Sequence, residues 1–269
     1  MSDIATKLTT IAENQQKVYD AGYAAGQSAG GNTEEAYQQG VVDGKQAEYE
    51  SFWNAYLPND LYSLVYLFAG YCWNDNTFKP PNGTIFSVVN CVSKSVAGMF
   101  QNSRITDLVS ICNKRGLTFN FSGVTNFAYM ICDSFVRTFP AINASSAQNL
   151  NTMLFNGQSL VSVGTVTLKD DGSQTFTNFA NSCKNLVDIT FEGVIGQSIN
   201  FQWSPSLSKD SITSIINALS TTTSGLSVTF SKTAVNKVFE TSEGAADGEK
   251  SDAWTTLRNT KTNWTVSLA

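Results

Sequence analysis

The feature that most constrains this 269-residue chain is a series of short segments in which apolar residues alternate with polar ones. Alternation puts every second side chain on the same face of a strand, so each segment predicts a β-strand with one buried face. Gly, Asn and Asp residues, which favour turns, bound the segments. The predicted strands cover residues 117–121, 166–168, 189–191, 199–201 and 226–230.

The apolar residues also recur over longer distances. Segment 100–108, FQNSRITDL, has its apolar residues at the same offsets as segment 155–163, FNGQSLVSV, and similar segments begin at Met130 and Phe179. Their starts lie about 25 to 30 residues apart, which is typical of repeat proteins. Stacked units of this kind would bury Phe100, Met130, Phe155 and Phe179 or Ala180 at matching positions. An ordinary β-sandwich with accidental spacing is the alternative.

Residues 3–29 predict a helix whose small or apolar residues are spaced alternately by four and three, the pattern of a heptad seam. Gly30 and Gly31 end this helix, and a second one is predicted for residues 34–56, before Pro58. We therefore expect a helical stalk over residues 1–57. The alternative is a single amphipathic helix docked on its own chain or on a neighbour. The predicted oligomerisation residues are Ile4, Leu8, Ile11, Gln15, Val18 and Gly22.

The end of the sequence predicts a mixed unit. Ser208 precedes an apolar helical pattern, residues 234–239 are also helical in pattern, and Ser251 begins a helix that contains Trp254. Strands are predicted at 226–230 and 264–268. Because a stack of repeats needs an atypical end unit, we interpret residues 207–269 as a C-terminal cap with both helices and strands.

Charge and hydropathy exclude several function classes. The net charge is −5 and no Lys/Arg stripe occurs, so we expect no nucleic-acid binding. No apolar run is long enough to cross a bilayer, and the first residues lack the pattern of a signal peptide. We therefore predict no membrane insertion, and release from the cell by lysis or as part of a particle.

Histidine is absent, which removes the commonest proton carrier and all His-dependent nucleophile and zinc sites. The five cysteines are odd in number and form no CxxC pair, so buried free thiols are expected. Asp170 and Asp171 could bind a cation or act on a glycan, but the Asp-Asp-Gly sequence is foremost a turn signal. We predict no enzyme activity, no catalytic residue, no cofactor and no metal.

The units SVAGMFQNSRITDL, TMLFNGQSLVSV and NFANSCKNLVDITF resemble the BspA-type leucine-rich repeat. Over nearly its whole length the chain is similar to leucine-rich-repeat proteins encoded by phages and prophages of gut Firmicutes. This resemblance implies a leucine-rich-repeat-like β-solenoid over residues 58–206, so the predicted fold is α+β, with the helical, coiled-coil-like stalk before the solenoid and the α/β cap after it. The class is associated with adhesion and surface binding, and no catalytic residue comes with it.

Together these observations predict a structural protein of the phage virion. Residues 1–56 would anchor it to other virion proteins and assemble it as a homotrimer, while the remainder contacts a host glycan or protein. Candidate ligand-face residues are Trp73, Tyr129 and Trp203, for each of which a core position is the alternative. Competing interpretations are a capsid decoration or head-fibre protein with a purely architectural role, and a bacterial surface adhesin. A carboxylate-based glycosidase is the weakest alternative.

Overall fold

The computed structural model describes residues 67–69, 83, 85–87, 93–239 and 250–269. In most of this part, the strands and helices lie where the sequence patterns predict them. The predicted stalk, with its seam at Ile4, Leu8, Ile11, Gln15, Val18 and Gly22, lies outside the described residues, and so does Trp73. The domain bounds at 57 and 206 stay predictions.

The described residues contain ten strands and four α-helices. The strands are β1 (Ile85–Ser87), β2 (Thr118–Asn120), β3 (Thr138–Phe139), β4 (Ile142–Asn143), β5 (Ser162–Val163), β6 (Val166–Thr167), β7 (Phe191–Glu192), β8 (Ile199–Phe201), β9 (Leu226–Phe230) and β10 (Trp264–Leu268). The helices are α1 (Leu108–Arg115), α2 (Lys209–Ala218), α3 (Lys232–Val238) and α4 (Asp252–Arg258), and a 3-10 turn follows at Asn259–Lys261.

All strand pairs among these elements are parallel. They form four separate sheets, with the strand orders β1-β2, β3-β5, β4-β6-β7 and β10-β9-β8. Parallel neighbours need long connections, which is why partners in each sheet come from segments more than twenty residues apart. The sheet β10-β9-β8 has the longest strands, since β9 and β10 are each five residues long and pair along their whole length.

The prediction of a leucine-rich-repeat-like β-solenoid is wrong. The described residues form a small α+β domain with four helices and several short parallel sheets, none of them closed. Pro140 lies between β3 and β4 and has no N–H to donate, so one strand cannot run through this point. Gly164 lies opposite, and a Cβ built on it would be 2.6 Å from the nitrogen of Ala141. This tight corner divides the pairing into separate two- and three-stranded sheets.

Residues 95–193, the middle region, consist of segments bonded side by side. Isolated parallel bridges join Ser95 to Asn126, Asn126 to Asn149, and Asn149 to Thr175. Turns in these segments place a residue in the left-handed backbone region at equivalent points, as at Asn102, Asp133, Asn156 and Ser182. Asn and Asp tolerate this conformation better than most residues, so they fix the turns.

The backbone hydrogen bonds correct the predicted alignment of buried residues. Phe100 donates its N–H to the carbonyl of Met130, so its parallel partner is Ile131. By the same pattern Ile131 pairs with Leu154 in the next segment, and Leu154 pairs with Ala180 in the segment after that. Phe155 is half-buried and lies one residue out of register. Phe100, Met130, Phe179 and Ala180 are buried as expected.

Residues 194–239 and 250–269, the carboxyl-terminal region, contain the helices and strands predicted there, with small shifts of their ends. Ser208 caps α2 by accepting a hydrogen bond from the N–H of Ser211, and Ser251 caps α4 through the N–H of Trp254. Lys261 donates from Nζ to the carbonyls of Asn217 and Leu219, and so binds the end of α2. These bonds satisfy backbone groups that a helix end leaves without partners.

A single continuous hydrophobic cluster joins the middle and carboxyl-terminal regions. Cys112, Cys132 and Cys183 are buried and free, which confirms the prediction for the three cysteines that the structure describes. None of the described helices combines the length and the hydropathy that a membrane-spanning helix needs.

Candidate functional site

A cleft of about 460 Å³ opens at the carboxyl ends of the three parallel strands β8, β9 and β10. Residues that directly follow each strand line it, and one further residue comes from the middle region. The carboxyl ends of parallel strands are a common location for ligand sites, because the loops there meet at one edge. The lining residues are Lys184, Gln202, Trp203, Pro205, Ser231, Thr233 and Ala269.

Trp203 lies at the corner of a tight turn directly after β8. The turn closes with a hydrogen bond of 3.0 Å from the N–H of Ser204 to the carbonyl of Phe201. The side chain of Asn200 accepts a second bond, of 2.8 Å, from the N–H of Gln202. Because Phe201 is buried as the last residue of β8, the turn points the next side chains outward, and Trp203 is 53% exposed.

Lys184 belongs to the middle region and closes one side of the cleft. The hydroxyl of Ser206 donates to its carbonyl at 3.0 Å, which ties the loop after Trp203 to this neighbouring segment. Among the described lining residues Lys184 is the one with a charged side chain, and none of them carries a carboxylate side chain. The cleft therefore offers a cation, an amide and hydroxyl groups beside an apolar wall.

Ser231 forms the inner part of the cleft, between β9 and α3. It is only 4% exposed and occupies the position before the helix, yet its side chain makes no capping hydrogen bond. The adjacent backbone is fixed by β10, since the N–H of Lys232 donates to the carbonyl of Ala269 at 2.9 Å and the N–H of Ala269 donates to Phe230 at 3.0 Å. The backbone on both sides of Ser231 is thus fixed by hydrogen bonds with Ala269, and the Ser231 hydroxyl does not cap α3.

Tyr129 is 45% exposed but does not line the cleft. It lies in the middle region, in the left-handed backbone conformation with φ of 59°. The structure therefore does not bring Tyr129 and Trp203 into one ligand face, and the role of each as a ligand contact stays a prediction. Phe135, which is 50% exposed, and Ile85 are further exposed apolar residues, and neither is among the predicted ligand-face residues.

Asp170 and Asp171 lie beside a second, shallower depression of about 420 Å³. The N–H of Ser173 donates to Asp171 at 2.9 Å, and this bond and the Ser173 hydroxyl lower the pKa of the Asp171 carboxyl. The Asp171 carboxylate thus stabilises the turn that the sequence predicted. No group of three or more potential metal ligands occurs in the part of the chain that the structure describes.

The described cysteines are poor nucleophiles. Burial raises the pKa of Cys112 to about 11 and that of Cys183 to about 12. Burial and then the neighbouring Asp133 raise the pKa of Cys132 to about 12. Because the reactive form is the thiolate, these three thiols stay protonated and unreactive near neutral pH.

Sequence reasoning identified Trp203 but missed its neighbours Lys184, Gln202, Ser231 and Thr233. These residues have no shared motif. The parallel direction of β8 and β9 brings Gln202, Ser231 and Thr233 together, and the bond from Ser206 to the carbonyl of Lys184 ties the middle region to them. No protein-family model, no curated protein and no solved structure matches this chain.

Proposed function

We propose that the chain is a non-enzymatic attachment protein of a phage particle, and that the Trp203 cleft is its contact with the host-cell surface. The observation that supports this proposal is the half-exposed Trp203 beside a concave, largely apolar cleft. A large aromatic residue left in solvent loses the stabilisation that burial would give it, and such residues are enriched at binding hot spots. The particle setting comes from the sequence resemblance.

The chemistry of the cleft supports binding over turnover. General acid–base catalysis requires a titratable group near the operating pH, whereas the described lining offers Lys184, amide and hydroxyl groups. Small-molecule sites typically combine an apolar wall with a few polar groups, as this cleft does. The host ligand is a glycan or a protein, and we propose no nucleic-acid partner and no cofactor.

Binding of the labelled full chain to a panel of gut Firmicutes cells tests this function. We expect at least one strain to bind the protein, and Trp203→Ala to reduce that binding roughly tenfold or more. Phe135→Ala is the matched control, since it removes an exposed aromatic ring that does not line the cleft and should leave binding unchanged. Equal binding by wild type and Trp203→Ala, or binding to none of the strains, contradicts the proposal.

Assembly is the second part of the proposal. We propose that residues 1–56 join the chain to other virion proteins and assemble it as a homotrimer. Removal of these residues, followed by light scattering, should lower the molecular mass from a trimer to a monomer. A shortened protein that keeps the oligomeric state of the full chain would contradict this part and leave the cleft unaffected.

A further inference from the structure

We infer that the Trp203 cleft binds a pyranose unit of a surface glycan, with one face of the sugar ring stacked on the indole of Trp203. This inference rests on the proposed function and names the ligand class of the same site. It follows from three properties of the cleft: a flat aromatic wall, donors and acceptors placed around it, and a size suited to a small ligand.

The aromatic wall fits the apolar face of a sugar. A pyranose ring carries several C–H groups on one face, and the electron-rich face of an indole attracts such partly positive hydrogens. Trp203 and Pro205 both line the cleft and supply its apolar wall, and the turn bonds at Phe201 and Asn200 hold the backbone that carries Trp203. A prepositioned ring loses little conformational entropy when a ligand binds.

The polar groups match hydroxyl groups. A sugar hydroxyl both donates and accepts, and the amide of Gln202 and the hydroxyls of Ser231 and Thr233 can do both as well. Ser231 is the most telling of them, because its side chain is almost fully buried and does not cap α3. Lys184 adds a charged donor to the lining. The volume of about 460 Å³ lies within the range of small-molecule sites.

Other ligand classes fit less well. Nucleic acid requires clustered cations along its phosphates, and Lys184 is the single charged side chain among the described lining residues. A metal ion requires several carboxylate, thiolate or imidazole ligands, and the described lining side chains provide none. A peptide that binds by adding a strand would use the backbone of a sheet edge, whereas the cleft lies at the strand ends.

Saturation-transfer NMR with the full chain tests the inference directly. The probes are the methyl glycosides of glucose, galactose, rhamnose, N-acetylglucosamine and N-acetylgalactosamine, each at about 10 mM, because single sugars commonly bind with millimolar dissociation constants. We expect at least one probe to receive saturation, strongest on the C–H groups of one ring face. Trp203→Ala should abolish the signal, Ser231→Ala should weaken it severalfold, and Phe135→Ala, which removes an exposed ring outside the cleft, should leave it unchanged.

Thermal unfolding of each variant shows that loss of signal is not loss of fold, since Trp203 is half exposed and its removal should leave the melting temperature nearly unchanged. The absence of saturation for every probe, or a signal that survives in Trp203→Ala, overturns the inference. If cell binding still depends on Trp203 while no sugar binds, the attachment function stands and the ligand class is wrong. If cell binding does not depend on Trp203, the proposed function itself fails.

Discussion

The middle region and the carboxyl-terminal region are held together in different ways. In the middle region, strands of two or three residues pair between segments, and turn residues in the left-handed conformation fix each segment. In the carboxyl-terminal region, β9 and β10 pair over five residues, and side chains bind backbone groups at the ends of α2 and α4. Both regions share one core, and both have side-chain bonds between segments, such as the one from Gln174 to the carbonyl of Ala144. Among the described residues, only the second region pairs strands over five residues.

The difference explains where the candidate site lies. A loop that carries a binding residue needs a rigid scaffold beneath it. Trp203 follows a strand of the longest sheet, and neighbouring bonds from Ser206 and Ala269 fix the backbone around the cleft. Tyr129, by contrast, lies in a turn of the middle region and does not line the Trp203 cleft.

The largest effect on stability should come from the core of the carboxyl-terminal region. Trp254 is 1% exposed, and its ring contacts those of Phe230 and Phe239, with centroid separations of 6.1 and 5.4 Å. Trp254→Ala should lower the free energy of unfolding by about 3–5 kcal/mol, because it leaves a large cavity. Urea unfolding measures the loss. Leu257→Ala, on the same helix but only partly buried, should cost about 1 kcal/mol. Equal losses for the two variants would show that Trp254 does not organise this region.

The next effect tests the side-chain contact at the end of α2. Lys261→Met keeps much of the buried stem but removes the ammonium that binds the carbonyls of Asn217 and Leu219. Leaving buried carbonyls without partners should cost about 1–3 kcal/mol of unfolding free energy. Lys237→Met, at an exposed position in the last turn of α3, is the matched control and should change stability little. The measurement is again urea unfolding, and a Lys261→Met protein as stable as Lys237→Met would contradict the capping role.

A smaller effect, of opposite sign, is expected in the middle region. Thr152 has a branched side chain in the left-handed conformation, with φ of 58°, and Asn178 occupies the equivalent point of the next segment, with φ of 53°. Glycine relieves the steric strain, so Thr152→Gly should stabilise the protein by up to about 1 kcal/mol. Asn178→Gly should be nearly neutral, because Asn already tolerates this backbone. Melting temperatures compare the two, and destabilisation by Thr152→Gly would show that its side chain matters more than its backbone.

The smallest effect near neutral pH concerns the buried thiols. Their pKa values are raised in the folded state from the ordinary value of 9.0, to about 12 for Cys183. The thiols therefore contribute stability that is fully present below pH 9 and is lost as the pH rises toward 12. Unfolding free energies of wild type and Cys183→Ala, compared at pH 8 and pH 10.5, should show a smaller alkaline loss in the variant. Identical alkaline losses would mean that Cys183 does not stay protonated in the folded chain.

Local signals in the sequence predicted local structure well. Ser208 and Ser251 were expected to begin helices, and both cap them, because a capping bond depends on residues only three positions away. Alternation placed β8, β9 and β10 correctly, since a strand that buries one face must alternate.

Longer-range structure could not be predicted in the same way. Runs such as Met153-Leu154-Phe155 contain three consecutive apolar residues, so apolar spacing alone cannot say which of them faces the partner segment. In the structure Leu154 is the residue that pairs with the next segment, in register with the pairing of the turn residue Asn156 with the turn of that segment. The division into separate sheets depends on how closely Gly164 and Ala141 approach, which is a contact between distant parts of the chain. The cleft was missed for the same reason, although Trp203 itself was named.

The position of Ala269 in the cleft wall has a practical consequence for work on this protein. Any group attached next to Ala269, such as a fluorescent label, would lie beside the cleft, close to the space that a ligand would use. A surface tether attached there would likewise turn Trp203 toward the support. Immobilisation and labelling are therefore better done away from Ala269, and two otherwise identical assays, one with the label beside Ala269 and one with the label at a distant position, should disagree about affinity.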